Sequence, residues 1–204
     1  MEKKNVVIAG IGTEVGKTVV SSIVCKALQA DYWKPVQAGE LDNTDSMTVS
    51  RLVDDEHFKA FEEGYRLQHP MSPHAAADLE GTHVNPDMLI IPKTDRSLVI
   101  ELAGGLMVPM NHSYMNLDWV QAINLPVILV SSYYLGSINH TLLSWKLLTE
   151  AGVDIMGIVF NGKPVPSTRD VILSYTGLKC LLELPNLENL EPKTIAHYAG
   201  LFQH

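Results

Sequence analysis

Cysteine is scarce in this chain. Only Cys25 and Cys180 occur among 204 residues, far apart and without ligand-like neighbours. A disulfide framework and a thiolate metal cluster are therefore excluded, and both thiols are expected buried and reduced, as in the cytoplasm. Long apolar runs are missing too. No stretch approaches the ~20 residues of a membrane span. The start, Met1-Glu2-Lys3-Lys4, leads straight into a short apolar run with no small-residue cleavage site, so no signal peptide is expected. Basic residues are outnumbered, with 15 Lys and Arg against 23 Asp and Glu and a formal charge of −8. Such a protein lacks the broad positive field that holds nucleic acid or anionic lipid, so neither is expected as a partner. Any anionic ligand must be gripped by a local device. The eight histidines show no metal-ligand spacing. His57, His69, His83, His112, His197 and His204 are scattered, and surface or loop roles are expected for them.

What is present suits one domain spanning residues 1–204: 46% of residues are apolar and 19% charged, enough to build a full core. Val/Ile-rich runs at residues 6–9, 97–100, 126–130 and 155–160 are nearly continuous in apolar character, as strands covered on both faces should be. Residues 18–29, 117–123, 138–150 and 167–175 are long enough for helices, and weaker strands are expected at 32–34 and 181–184. This alternation predicts an α/β fold, a mostly parallel sheet with helices on both faces. Polar, Pro-containing stretches at 39–45, 69–74 and 104–115 read as loops, where such sheets carry their ligands.

The most informative segment is Gly10-Ile11-Gly12-Thr13-Glu14-Val15-Gly16-Lys17-Thr18, which follows the first strand and opens the first helix. That is the setting of a phosphate-binding loop. Glycines let the backbone curl so that N–H groups face phosphate oxygens, and the helix adds its positive end. Lys17 would reach the β- and γ-phosphates, and the Thr18 hydroxyl would ligate Mg²⁺. The spacing departs from G-x-x-x-x-G-K-T, because Ile11 stands where the first glycine is usual, between Gly10 and Gly12. A phosphate loop alone says only nucleoside triphosphate.

Magnesium held by a hydroxyl and phosphates also needs carboxylates. Glu101 ends the run at 97–100 and is placed at the carboxyl edge of a central strand. Asp45, in the turn-rich Asp42-Asn43-Thr44-Asp45, is a second candidate or a simple helix cap. Lys34, in Tyr32-Trp33-Lys34-Pro35-Val36, either snorkels past two aromatics or aims at the γ-phosphate from a strand end, as a second cation for phosphoryl transfer.

Taken together these residues resemble the dethiobiotin synthetase family, over most of the chain. The resemblance rests on Gly10 with Thr13 through Thr18, on Lys34-Pro35-Val36, Asp45 and Ser72-Pro73-His74. It continues through Glu101-Leu102-Ala103-Gly104-Gly105, Asp118-Trp119, residues 125–130, Leu135-Gly136-Ser137-Ile138-Asn139-His140, Phe160-Asn161 and Leu184-Pro185-Asn186-Leu187. It implies that 7,8-diaminopelargonate, CO₂ and ATP become dethiobiotin, ADP and phosphate. One amine captures CO₂ as a carbamate, whose oxygen attacks the γ-phosphate to give a carbamic–phosphoric anhydride. The second amine then closes the cyclic urea.

The same resemblance implies the site. Lys17 and Lys34 are the catalytic cations, and Thr18, Asp45 and Glu101 hold Mg²⁺. The nucleotide lies on Glu14, Val15, Gly16, Lys17, Thr18 and Val19, with Ala103 and Gly104 nearby. Its base meets Asn161, Gly162, Pro185, Asn186 and Leu187. Thr13, Lys34, Gly136, Ser137, Ile138 and Asn139 bind the diamine. The free N–H groups at the start of the helix after Gly136 would take its carboxylate, unless Ser137 is an ordinary N-cap. Leu135 and Ile138 would cover its methylenes at ~0.8 kcal/mol each. In the family that segment comes from the partner subunit, which implies a homodimer. Three departures stand out: Ala38 lacks the hydroxyl usual after Lys-Pro-Val, Leu102 replaces a glycine, and Gly162 stands where an acid is common. Chromosome-partitioning and cell-division ATPases share this kind of sheet, but they carry a further lysine four residues before Gly16, where this chain has Gly12.

Overall fold

The computed structural model describes residues 3–203, so the Met1-Glu2 start and His204 lie outside the described residues. The chain opens with strand β1 (Asn5–Gly10) and helix α1 (Lys17–Leu28), then β2 (Asp31–Trp33), β3 (Val36–Ala38) and α2 (Asp45–Val53). Strand β4 (Tyr65–Leu67), α3 (Pro73–Leu79) and a single 3₁₀ turn at Pro86–Met88 lead into the long strand β5 (Leu98–Gly105). A hairpin of β6 (Pro109–Asn111) and β7 (Tyr114–Met115) precedes α4 (Asn116–Ile123) and β8 (Val127–Ser132). The remainder alternates through α5 (Ser137–Glu150), β9 (Ile155–Asn161), α6 (Pro166–Thr176), β10 (Cys180–Leu184) and α7 (Pro192–Ala199).

Six strands form the central sheet in the order β10-β9-β8-β1-β5-β2, and every neighbouring pair is parallel. Period-two alternation sends Val6 and Ile8 of β1 to one face and Val7 and Ala9 to the other. On the first face they meet Val20, Ile23 and Val24 of α1, Val49 and Leu52 of α2, and Ile195 of α7. On the second lie Trp119 and Val120 of α4, Leu148 of α5 and Ile172 of α6. Helices thus cover both faces, which is why the strands read as unbroken apolar runs.

The expected strands and helices are all present, with shifted ends. Strand β2 stops at Trp33, so Lys34 sits just beyond it. Glu101 does not end its strand, because β5 runs on to Gly105 by pairing again with Gly10 after an irregularity in β1. The stretch 39–45 ends in α2, whose N-cap Thr44 accepts from the Met47 N–H. The stretch 69–74 ends in α3, and 104–115 folds into the β6–β7 hairpin, whose turn is tied by the Ser113 N–H to Asn111 Oδ1 at 2.9 Å. Of the two free thiols, Cys25 is buried but Cys180, on the sheet's edge strand β10, is only half-buried. Among the described residues no helix is long and apolar enough to cross a membrane.

Candidate active site

The loop between β1 and α1 explains its own spacing. A side chain at Gly10 would place a Cβ 2.7 Å from Val15 Cγ2 and 2.9 Å from the Gly12 carbonyl. At Gly16, φ is +91° and a Cβ would lie 2.2 Å from Asn161 Nδ2, so only glycine fits. Nothing lies within 4 Å of a Cβ at Gly12, and Ile11 packs against both apolar clusters. The curl needs glycine at 10 and 16, not at 11. Asn161, from the end of β9, donates Nδ2–H to the Val15 carbonyl at 3.0 Å and pins the loop against the sheet. Lys17 is buried and folds back so that Nζ donates to the Gly12 carbonyl at 3.1 Å. Burial lowers its pKa, the Glu101 charge opposes that, and the neighbouring Lys34 ammonium adds to it.

Beside the loop, side chains from four places converge. Thr18 Oγ1 donates to Asp45 Oδ1 at 2.6 Å and reaches Glu101 Oε1 at 3.1 Å. Lys34 Nζ donates to Asp45 Oδ2 and to Glu101 Oε1, the latter at 3.3 Å. Glu101 Oε2 accepts from Ser21 Oγ at 2.8 Å and from the Tyr32 hydroxyl at 2.9 Å. Glu101 is 1% exposed and Lys34 is 5% exposed, so these charges face one another with little water between them. For Lys34, burial works against the charged form, but Glu101 and Asp45 outweigh it and raise the pKa. For Asp45, burial also works against the charged form, here by raising the pKa, and Lys34 and Thr18 outweigh it and lower the pKa. Burial, then the Glu101 charge, drives the Tyr32 phenol well above its ordinary value, so it remains an O–H donor. Two carboxylates and a hydroxyl within hydrogen-bonding reach make an oxygen-only donor set, the kind a hard divalent cation takes. Among the described residues no group of three His, Cys, Asp or Glu gathers anywhere, so phosphate and water would have to complete such a coordination shell.

On one side of this centre, Thr13 and Glu14 are exposed at the loop's crest, with Glu14 at φ +58°. Thr13 Oγ1 would be 3.5 Å from a Cβ at Gly104, so the loop and the partly buried Ala103-Gly104 segment are neighbours. On the other side, Pro185, Asn186 and Leu187 line a cleft of about 460 Å³ together with Lys193, His197 and Tyr198 of α7. Gly162 adjoins it, since a Cβ there would be 3.7 Å from Asn186 Oδ1. Tyr133 stacks on Phe160 at 5.7 Å between ring centres, and its hydroxyl donates to Glu183, which also receives Arg169 at 2.9 Å. That network fastens the ends of β8, β9 and β10 to α6. Gly136, with φ +103°, turns the chain into α5; Ser137 is the first helical residue and buried, and makes no side-chain cap. Leu135, Gly136, Ile138 and Asn139 are all exposed.

Lys34, Asp45 and Glu101 thus meet Thr18 and the phosphate loop as expected. Asp45 is the first residue of α2 and not its cap, a role taken by Thr44. Leu102 does not narrow the site, because alternation along β5 turns it into the apolar cluster of Trp33 and Trp119, away from Glu101. Sequence reasoning passed over Ser21, Tyr32 and Gln37, whose Oε1 accepts from the Asp45 N–H at 3.3 Å. A signal existed: Ser21 follows Thr18 by three on a helix, and Tyr32 precedes Lys34 by two along an extended segment, so each pair shares a face.

The chain's relatives carry the same reading. A family model described as an AAA domain (AAA_26) matches residues 4–194. The ATP-dependent dethiobiotin synthetase BioD of Christiangramia forsetii is 46% identical over 200 residues, 98% of this chain and 96% of that one. Its namesake from Cytophaga hutchinsonii is 43% identical over 197 residues, covering 96% and 95%. Among solved structures, the septum site-determining protein MinD with Mg-ADP from Pyrococcus horikoshii superposes with a TM-score of 0.59 at 12% identity, covering 97% of this chain and 94% of that one. A ParA family ATPase from Chlorobium tepidum gives 0.52 at 12% identity over 98% of each chain. At that identity the two structures speak for the fold alone, which is the α/β sheet of phosphate-loop ATPases. The synthetase relatives are far closer and span nearly the whole chain, and with them this protein belongs to the ATP-dependent dethiobiotin synthetase family.

Proposed function

We propose that the chain, as a single synthetase domain of the cytoplasm, joins 7,8-diaminopelargonate, CO₂ and ATP into dethiobiotin, ADP and phosphate. The observation that carries this reading is the meeting of Lys34 with Thr18, Asp45 and Glu101 beside the phosphate loop. A synthetase must bring an anionic carbamate up to an anionic phosphate. Thr18, Asp45 and Glu101 would hold Mg²⁺, which when bound neutralises phosphate charge.

The loop amides from Gly10 to Thr18 grip the triphosphate, and Lys17 extends along it. One substrate amine adds to CO₂ and loses a proton, leaving a carbamate. Lys34 draws that carbamate toward the γ-phosphate, where its oxygen displaces ADP and forms the carbamic–phosphoric anhydride. The second amine attacks the carbonyl carbon, phosphate departs, and the proton of the attacking nitrogen is released as the urea ring closes. Positioning is the larger part of such catalysis, because both amines must react in order on one anchored molecule. Asn161, Gly162, Pro185, Asn186 and Leu187 are assigned to the base, and Gly136 through Asn139 of a partner subunit to the substrate carboxylate. Incubation with ATP, bicarbonate and diaminopelargonate, read by product mass, is expected to yield dethiobiotin with one ADP per ring closed. ATP consumption without that mass would overturn the assignment.

A further inference from the structure

The carboxylate of Glu101 has two oxygens, and the structure gives them different work. Oε1 faces Thr18 and Lys34 at 3.1 and 3.3 Å, at or beyond the long end of ordinary hydrogen bonds. Oε2 faces away from them and takes the Ser21 and Tyr32 hydroxyls at 2.8 and 2.9 Å. Ser21 and Tyr32 are both 0% exposed. A phenol buried among Ile8, Ile23 and Val24 would be unfavourable without a partner, and its hydroxyl is spent on this one carboxylate oxygen. Tyr32 is fixed in turn by the backbone: its N–H donates to the Lys59 carbonyl at 2.9 Å, and its carbonyl accepts from the Phe61 N–H at 2.8 Å. Helix α1 holds Ser21 one turn beyond Thr18 on the same face.

We propose that Tyr32 and Ser21 are positioning residues for phosphoryl transfer, locking Glu101 Oε2 so that Oε1 alone is presented to the divalent cation and to Lys34. This rests on the reading of Glu101 as a cation ligand. Two donors on Oε2 prevent rotation of the carboxylate about its last bond, and they leave the free lone pairs of Oε1 on the nucleotide side. Phenylalanine at position 32 would fill the same space and remove only the restraint.

The test uses Mn²⁺ as the probe, titrated by electron paramagnetic resonance into the full chain with ADP. Tyr32→Phe and Ser21→Ala are each expected to weaken Mn²⁺ binding by about 10-fold or more, the usual loss on removing a partner that orients a metal ligand. ADP affinity without metal is expected to hold. Glu101→Gln is expected to weaken Mn²⁺ itself, and adding Tyr32→Phe to it should change the affinity by less than about twofold, since Tyr32 acts only through the Glu101 carboxylate. Unchanged Mn²⁺ binding in Tyr32→Phe and Ser21→Ala, with Glu101→Gln impaired, overturns this inference and leaves the cation reading standing. Unchanged binding in Glu101→Gln overturns both. Should Tyr32→Phe fail to fold, Ser21→Ala decides, because alanine favours its helix position.

Discussion

In the proposed reaction, Lys34 is the side chain on which ligation and plain hydrolysis part. It is 5% exposed, bonds to both carboxylates of the centre, and is held charged by them in spite of its burial. On that proposal its charge would matter most while the γ-phosphoryl group passes between carbamate and ADP, since a fixed cation acts on charge as it develops. Lys34→Ala is therefore expected to lower kcat by ~100-fold or more, the scale for removing one donor aimed at developing charge. The affinity for ATP should change far less. Steady-state rates set beside calorimetric ATP binding check this, and equal losses in both would reduce Lys34 to a binding residue. Its place was only half legible: past a strand end and before Pro35 it could snorkel or aim at the phosphate, and the family resemblance, not the spacing, favoured the second. Tyr32 was not read that way. An apolar-looking aromatic in a strand is core until the register sets it against a carboxylate, and here the pairing of Tyr32 with Val99 carries it to the face shared by Glu101.

Among the elements, the six sheet strands and helices α1, α4, α5 and α6 could be read from the sequence, whereas α2 could not. Its nine residues, Asp-Ser-Met-Thr-Val-Ser-Arg-Leu-Val, mix polar and β-branched types with low helix propensity. What makes them helical is tertiary. Val49, Leu52 and Val53 form one stripe that is buried against α1 and α7, and Thr44 supplies the cap. The parallel pair β3–β4 was hidden for the same reason: two three-residue strands carry no period. Because Asp45 opens α2, the helix start aims the carboxylate. Thr44→Ala is expected to cost ~1 kcal/mol, as lost N-caps do. It should also weaken Mn²⁺ binding in the presence of ADP through a loosened Asp45. Urea unfolding and the metal titration measure the two effects. A stability loss with unaltered metal affinity would show that Lys34, Thr18 and Gln37 suffice to hold Asp45 in place.

The sheet as a whole is shared with ATPases whose sequences are only 12–13% identical to this one, so the architecture does not select the reaction. What it supplies is one edge where the phosphate loop, Lys34 and Glu101 come together, and an exposed apolar patch that the proposed dimer would cover. Leu135 is fully exposed, with Tyr134 43% and Ile138 38% exposed beside it, at the start of the helix assigned to the substrate carboxylate. Large apolar side chains gathered at one exposed point mark an interface. In a twofold dimer the same patch serves both subunits, so one charge placed there is introduced twice. The protein is expected to sediment at twice the 22.5 kDa of its chain. Leu135→Asp should shift it toward monomer and raise the KM for diaminopelargonate by ~10-fold or more, the effect of losing about 1.4 kcal/mol of binding. ADP affinity should be kept, since the phosphate loop lies within one chain. Sedimentation velocity and substrate-dependent rates on the same preparation check both parts. A wild-type monomer that turns over normally would place the whole carboxylate site within a single subunit.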